Sequence, residues 1–333
     1  MSEKKKVLVT VLHLGERLDP YARRLEEEGF EVLRLAARPG EDELIQRLQG
    51  VFGTIAALEH YNDRVFREAK ALRVVARFGV GYDRVDVDAA TRHGVVLAMA
   101  FGCNHEGVAD WTLTLMGAVY GKLLEAHQRV ASGGWGHGAR PGLWKKTVGL
   151  IGLGRIGKAV ARRCRGFDMR LLATEVLPDH AFAREYGVTF VPLETLLREA
   201  DIVSVHAPHL SGTEKLINRK TLALMKPTAV LINTARGGLV DEAALYEALS
   251  TGRIAGAGLD VFCDEPPAGS PLLGLGNVVL SPHQAGDDLT SEAAVMGRCI
   301  ESIVAMARGR HPGAEYIVNP AALKDGRRGT AIG

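Results

Sequence analysis

Cysteine is scarce in this chain of 333 residues, and its four cysteines, Cys103, Cys164, Cys263 and Cys299, stand far apart with no C-x-x-C among them. That spacing excludes zinc knuckles and thioredoxin-type pairs built from sequence neighbours. A chain of this length buries a large core without a disulfide scaffold. Net charge is also small, since 41 Lys and Arg against 39 Asp and Glu leave +2. Neither a strongly basic nucleic-acid binder nor an acidic solvating tail fits that balance. No uninterrupted apolar run approaches the roughly 18 residues of a membrane span. Lys4 to Lys6 followed by VLVTVLHLG has the outline of a short signal peptide, but Thr10 and His13 interrupt it and Glu16-Arg17 follow at once. A buried first strand and a cytoplasmic location are expected instead. Glycine is abundant, with 39 residues, yet it shows no three-residue period, which excludes a collagen-like chain.

What is present is a rhythm of short apolar runs and helical patterns. VLVTVL (7–12), FEVLRL (30–35), LRVVAR (72–77) and VVLAM (95–99) read as strands, with helices around Tyr21 to Glu28 and Glu41 to Leu48. After a long helical segment from Asn104 come TVGLIG (147–152), MRLLAT (169–174), DIVSVH (201–206), TAVLIN (228–233), AGAGLD (255–260) and NVVLS (277–281). Continuously apolar strands separated by helices predict parallel sheets covered on both faces, an α/β doubly wound fold. The length suits about two domains of about 150 residues. Ser132 to Gly142 reads as an excursion outside the layers, and Leu289 to Arg308 as a final helix. Tyr316 to Pro320 reads as a tail docking back on the first domain, and residues after Lys324 are expected to fray.

Gly152-Leu153-Gly154-Arg155-Ile156-Gly157 matches G-x-G-x-x-G between the strand TVGLI and the helical pattern KAVARRCRGF. Gly152 suits the tight turn, Gly154 a close approach of backbone to a diphosphate, and Gly157 the packing of helix on strand. The helix N-terminus offers unpaired N–H groups to phosphates. Glu175 ends the next strand about 20 residues on, where a carboxylate accepts from ribose hydroxyls and repels a 2′-phosphate, which favours NAD over NADP. Glycines serving packing alone are the plainer alternative.

Ligands of such sheets bind beyond the carboxyl ends of strands. Those ends carry Glu175, His206-Ala207-Pro208, Asn233-Thr234-Ala235-Arg236, Asp260 with Asp264-Glu265, and Ser281-Pro282-His283. Reducing a 2-oxo acid needs a guanidinium to hold the carboxylate and polarise the carbonyl. It also needs an imidazole to exchange the alcohol proton, and a carboxylate to fix the imidazole tautomer. Arg236, His283 and Glu265 supply those types. Arg236 as a helix cap or a partner of Asp241, Glu265 as a loop carboxylate and His283 as a turn histidine are the structural alternatives. His206 and His209 invite a metal reading, but no acidic or thiol ligand stands nearby in sequence, so no metal is expected.

At this point the motifs resemble the D-isomer-specific 2-hydroxyacid dehydrogenases, which include phosphoglycerate dehydrogenase and glyoxylate/hydroxypyruvate reductase. The resemblance runs from about Leu72 to Ile303 through ARFGVGYDRVDVDAATRHGV (76–95), GCNHEGVADWT (102–112), LIGLGRIGKAVARR (150–163), SVHAP (204–208), INTARGGLVDEAAL (232–245), GLDVFCDEPP (258–267) and LSPHQAG (280–286). It implies a Rossmann cofactor domain at 104–286 and a discontinuous flavodoxin-like substrate domain at 1–103 and 287–333. It implies Arg236, Glu265 and His283 as catalytic residues, with Val80, Gly81, Asn104 and Arg236 binding substrate. Gly152, Gly154, Arg155, Ile156, Gly157, Glu175, His206, Pro208, Thr213, Thr234, Ala235, Asp260 and Gly286 are implied to bind NAD, Asp260 through the carboxamide. Hydride transfer between NAD and C2 of a small D-2-hydroxy or 2-oxo acid follows, with 3-phosphoglycerate, glyoxylate and hydroxypyruvate as candidates. A homodimer is expected, with an arm at about 118–145 in which Trp135 and Trp144 pack. An NAD-sensing corepressor of the same fold and a phosphite-type dehydrogenase stay open. Two departures bear on substrate. Asp287-Asp288 follow Gly286, and Ala56 to His60 lacks the Arg of phosphate-binding relatives, with Glu59 in that region.

Overall fold

The computed structural model describes residues 4–35 and 39–323, so the tail after Lys324 lies outside the described residues. The chain forms two compact units, Met1–Asn104 with Leu289–Gly333, and His105–Asp288. The first unit opens with β1 (Lys6–Val9), α1 (Asp19–Glu27), β2 (Glu31–Arg34), α2 (Glu41–Arg47), β3 (Val51–Ala56), α3 (Asp63–Glu68), β4 (Val74–Arg77), α4 (Val87–Arg92) and β5 (Val96–Met99). The second contains α5 (His105–Tyr120), α6 (Leu123–Ala131), β6 (Thr147–Ile151), α7 (Arg155–Cys164), β7 (Arg170–Thr174), α8 (His180–Tyr186) and β8 (Val188–Phe190). It continues with α9 (Leu193–Glu199), β9 (Ile202–Val205), α10 (Arg219–Leu222), β10 (Val230–Asn233), α11 (Glu242–Ser250), β11 (Gly256–Leu259) and β12 (Val278–Leu280). The chain then returns to the first unit through α12 (Leu289–Ala307).

Both sheets are parallel throughout. The first has five strands in the order β2-β1-β3-β4-β5, and the second has seven in the order β12-β11-β10-β9-β6-β7-β8. Successive side chains of a strand point to opposite faces, so an apolar run with helices on both sides feeds two cores at once. In β1, Val7 and Val9 join one cluster while Leu8 joins the other. In β10, Leu231 packs on one face while Val230 and Ile232 pack on the other. Helix starts are fixed locally: Asn62, Asp86, Asp179 and Asp241 each accept from a first-turn N–H of the helix that follows.

Two strands were absent from the sequence reading. Gly53 lies inside β3 and weakens its strand signature. The sheet needs glycine there, because a Cβ would fall 2.9 Å from Val74 Cγ1 and 3.4 Å from Ile303 Cγ2 of α12. β8 is only three residues long. The first strand is also shorter than its apolar run: it stops at Val9, and a 3-10 helix over Leu12–Leu18 turns Leu14 and Leu18 into the core instead.

The tail docks on the edge strand β5. Ile317 bridges Ala98, and the Val318 N–H donates to Leu97 O at 3.0 Å. Asn319 is buried; its Oδ1 accepts from Leu97 N at 2.8 Å and its Nδ2 donates to Val95 O and Thr91 Oγ1. Truncation leaves those buried groups unpaired, so Asn319→Ala is expected to lower unfolding stability by about 2–3 kcal/mol in a urea titration.

Candidate active site

The glycine turn joins β6 to α7 at the point where strand order reverses between β6 and β9. Gly152 takes φ +95°, and a Cβ there would meet the His206 carbonyl at 2.8 Å. At Gly157 a Cβ would fall 2.3 Å from Gly152 O. Gly154 is the opposite case, exposed with nothing within 4 Å of a Cβ position. It caps α7 without a side-chain hydrogen bond, and no acidic residue stands in the first helical turn. Open N–H groups at a positive dipole end fit a diphosphate. Glu175 closes the far side: Oε2 accepts from Leu153 N at 2.6 Å, and Oε1 from Val176 N at 2.7 Å and Leu177 N at 3.3 Å. The carboxylate is thus held against the turn. Arg155 is exposed and Ile156 half-buried at the same helix start.

The three expected catalytic residues follow three neighbouring strands, Arg236 after β10, Glu265 after β11 and His283 after β12. His283 Nδ1 lies 2.9 Å from both Glu265 oxygens. An ionised carboxylate only accepts, so the Nδ1 proton points at Glu265 and Nε2 is the ring atom left for proton exchange. Glu265 is mostly buried and also accepts from Phe262 N at 3.3 Å. His283 sits at φ +56°, a left-handed backbone that a non-glycine residue rarely holds without support. The support is Asp260, which has no exposed surface. Its carboxylate accepts from Ser281 Oγ at 2.5 Å, Gln284 N at 3.0 Å and Ala285 N at 2.9 Å, and its backbone O accepts from His283 N at 2.7 Å. Asp260 thereby shapes the loop that bears His283 and leads into Gly286. Trp111 Nε1 donates to Ser281 Oγ at 3.0 Å and extends the network.

The Arg236 loop is folded by Asn233, whose Oδ1 accepts from Ala235 N at 3.0 Å and whose Nδ2 donates to Arg236 O at 2.8 Å. Arg236 Nη1 donates to Ala235 O at 2.6 Å. Next to it, a Cβ on Gly237 would fall 1.9 Å from the Phe262 carbonyl carbon, so only glycine lets this loop lie against the strand end leading to Glu265. Asp241 caps α11 and pairs with Lys215 at 3.7 Å. Thr234 is buried against Thr112, 2.9 Å between hydroxyls. Thr213 closes its own loop, donating to Pro208 O at 2.7 Å and accepting from Leu210 N at 2.8 Å. Trp111 and Ser281 were missed as positioning residues, because nothing in their local sequence reveals partners so far along the chain, and Asn233 was missed because its bonds to Ala235 and Arg236 depend on the turn the loop takes. Val80, Gly81 and Asn104 belong to the other unit.

The family model for the NAD binding domain of D-isomer specific 2-hydroxyacid dehydrogenases matches residues 113–285. The chain belongs to that family. This dehydrogenase is 40% identical over 308 residues to a glyoxylate reductase of Korarchaeum cryptofilum, covering 90% of this chain and 92% of that one. It is 41% identical over 248 residues to a D-3-phosphoglycerate dehydrogenase of Archaeoglobus fulgidus, covering 74% of this chain and 47% of that one. A solved NADPH-dependent glyoxylate/hydroxypyruvate reductase of Sinorhizobium meliloti, in complex with NADP and malonate, superposes with a TM-score of 0.81 at 32% identity, over 92% of this chain and 94% of that one. The dehydrogenase is therefore an NAD-binding oxidoreductase that moves a hydride to or from C2 of a 2-hydroxy acid. Among its described residues no helix is long and apolar enough to cross a membrane.

His206 stands behind the glycine turn, with Nε2 2.9 Å from Ser204 Oγ, and burial pushes its imidazole down to about 4. Its folded value lies below the ordinary value of about 6.5, so the unfolded chain takes up a proton first as pH falls. Its contribution to stability is full above about pH 6.5 and is lost toward pH 4, at about 1.4 kcal/mol per pKa unit. Urea titrations between pH 7 and 4.5 are expected to show wild type losing stability faster than His206→Asn. Parallel pH profiles would remove the half-buried neutral histidine.

Proposed function

We propose that Arg236, Glu265 and His283 catalyse the reduction of a small unphosphorylated 2-oxo acid to its D-2-hydroxy acid. The observation that carries the reading is the His283 Nδ1–Glu265 pair, which leaves Nε2 to deliver a proton. Arg236 holds the carboxylate bidentately and polarises the carbonyl oxygen, a task for a planar fork. His283 Nε2 gives its proton to that oxygen and recovers it in the oxidation direction, and Glu265 stabilises the imidazolium in between. When bound, the nicotinamide supplies or accepts the hydride. Gly152, Gly154, Arg155, Ile156 and Gly157 hold its diphosphate, Glu175 the ribose hydroxyls, Asp260 the carboxamide, and His206, Pro208, Thr213, Thr234, Ala235 and Gly286 line the rest of that surface. Val80, Gly81 and Asn104 bind the substrate. Likeness to a glyoxylate reductase along almost the whole of both chains supports a small acid.

We further infer a cytoplasmic homodimer. The four free cysteines support a reducing compartment. No residue of α6 is buried, and Leu123 (60% exposed), Val130 (55%) and Trp135 (82%) leave an apolar arm that a second copy would cover.

Turnover of glyoxylate, hydroxypyruvate or pyruvate with NADH, followed by cofactor absorbance, tests the reading; failure with every 2-oxo acid would favour a binding protein. His283→Ala is expected to lower kcat about 10²–10⁴-fold. Glu175→Ala is expected to erode the preference for NADH over NADPH, measured as the ratio of kcat/KM values. An unchanged ratio would place the selection elsewhere.

A further inference from the structure

Within the second unit, helix α5 lies unusually close to strand β11. A Cβ on Gly258 of β11 would fall 3.2 Å from both Leu115 Cβ and Val119 Cγ2 of α5, and one on Gly256 would fall 3.0 Å from Val119 Cγ1. Strand β11 runs between β10 and β12, so a helix seated on it reaches the strand ends on either side. Two consecutive residues of α5 do so. Trp111 Nε1 donates to Ser281 Oγ at 3.0 Å, in the segment after β12 that bears His283. Thr112 Oγ1 lies 2.9 Å from Thr234 Oγ1, in the loop after β10 that bears Arg236. The proton directions follow from the other partners. Asp260 only accepts, so the Ser281 hydroxyl points at its carboxylate and the serine oxygen receives the indole N–H. The Thr112 hydroxyl donates to Val108 O at 2.7 Å, so the Thr234 hydroxyl is the donor to Thr112. Thr112, Thr234 and Ser281 are all buried, where removing a partner leaves a polar group unsatisfied.

We propose that Trp111 and Thr112 are positioning residues that tie the two catalytic loops to one helix, Trp111 setting the His283 segment and Thr112 the Arg236 loop. Each acts through another side chain. Trp111 works through Ser281 and the Asp260 carboxylate, which also accepts from Gln284 N and Ala285 N just after His283. Thr112 works through Thr234, which stands inside the turn that Asn233 closes onto Ala235 and Arg236. Both bonds leave the same turn of a rigid helix, so the loops carrying the guanidinium and the imidazole are held at one separation. A small acid gripped by its carboxylate at one end and protonated at its carbonyl oxygen needs that separation fixed. This rests on the catalytic reading above and adds two residues to it.

The test uses Trp111→Phe, which keeps an aromatic ring without the N–H, and Thr112→Val, which keeps the shape without the hydroxyl. Both kcat and KM are measured with NADH and whichever of glyoxylate, hydroxypyruvate and pyruvate wild type turns over fastest. Loosening His283 weakens proton delivery, an interaction of the transition state, so Trp111→Phe is expected to lower kcat about tenfold with KM for the acid little changed. Loosening Arg236 weakens the grip on the carboxylate in ground and transition states alike. Thr112→Val is therefore expected to raise KM for the acid about tenfold, and Thr112→Ser, which keeps the hydroxyl, to restore it. A merely structural role would lower the urea midpoint and change kcat and KM in the same way in Trp111→Phe and Thr112→Val, and that result overturns the proposal. Constants within about twofold of wild type in either variant overturn the role of that residue. Absence of turnover by wild type with all three acids would instead sink the catalytic reading.

Discussion

The Asp260 carboxylate is the constraint on which the candidate site depends. With no exposed surface, it gathers two backbone N–H groups and a serine hydroxyl from the segment after β12. Hydrogen bonds to a buried charge are stronger than neutral ones, and leaving that charge unpaired would be costly. The segment therefore closes tightly enough to hold His283 at positive φ, and the ring meets Glu265 from the neighbouring strand end. Lose the carboxylate, and the histidine keeps its sequence position but not its direction.

Close approach of backbone does the same work elsewhere. Gly152 lies against the His206 carbonyl, Gly157 against Gly152, and Gly237 against the Phe262 carbonyl, each at a separation no side chain would permit. Two pairs of segments from separate parts of the chain, the glycine turn with the His206 segment and the Gly237 loop with the Phe262 segment, are packed in this way at the carboxyl ends of the seven-stranded sheet. Parallel pairing sets every strand's carboxyl end on that side, so residues scattered from Gly152 to His283 need no long excursions to meet. Chemistry at the site then reduces to charge placement: a carboxylate held against the glycine turn, an imidazole locked by its acidic neighbour, and a guanidinium in the loop after β10.

Much of this could be read before folding. Continuous apolar runs announced parallel sheets, the glycine spacing announced the turn, and Arg236, Glu265 and His283 stood out as reactive types just past apolar strands. What escaped was governed by partners remote in sequence. β3 was hidden because Gly53 looks like a break, and its fitness shows only against Val74 and Ile303. Trp111 and Ser281 looked ordinary, and the wrapping of the segment after β12 around the Asp260 carboxylate shows only in the folded chain.

The sequence by itself determined the doubly wound class, the dinucleotide turn and the identity of the reactive side chains, because strand period, glycine spacing and residue chemistry are local properties. Only the tertiary structure decided the pairing of Nδ1 with Glu265 and the direction of the Asp260 carboxylate. Those depend on how segments about 20 residues apart meet at neighbouring strand ends once the sheet has formed, and no local window contains that meeting.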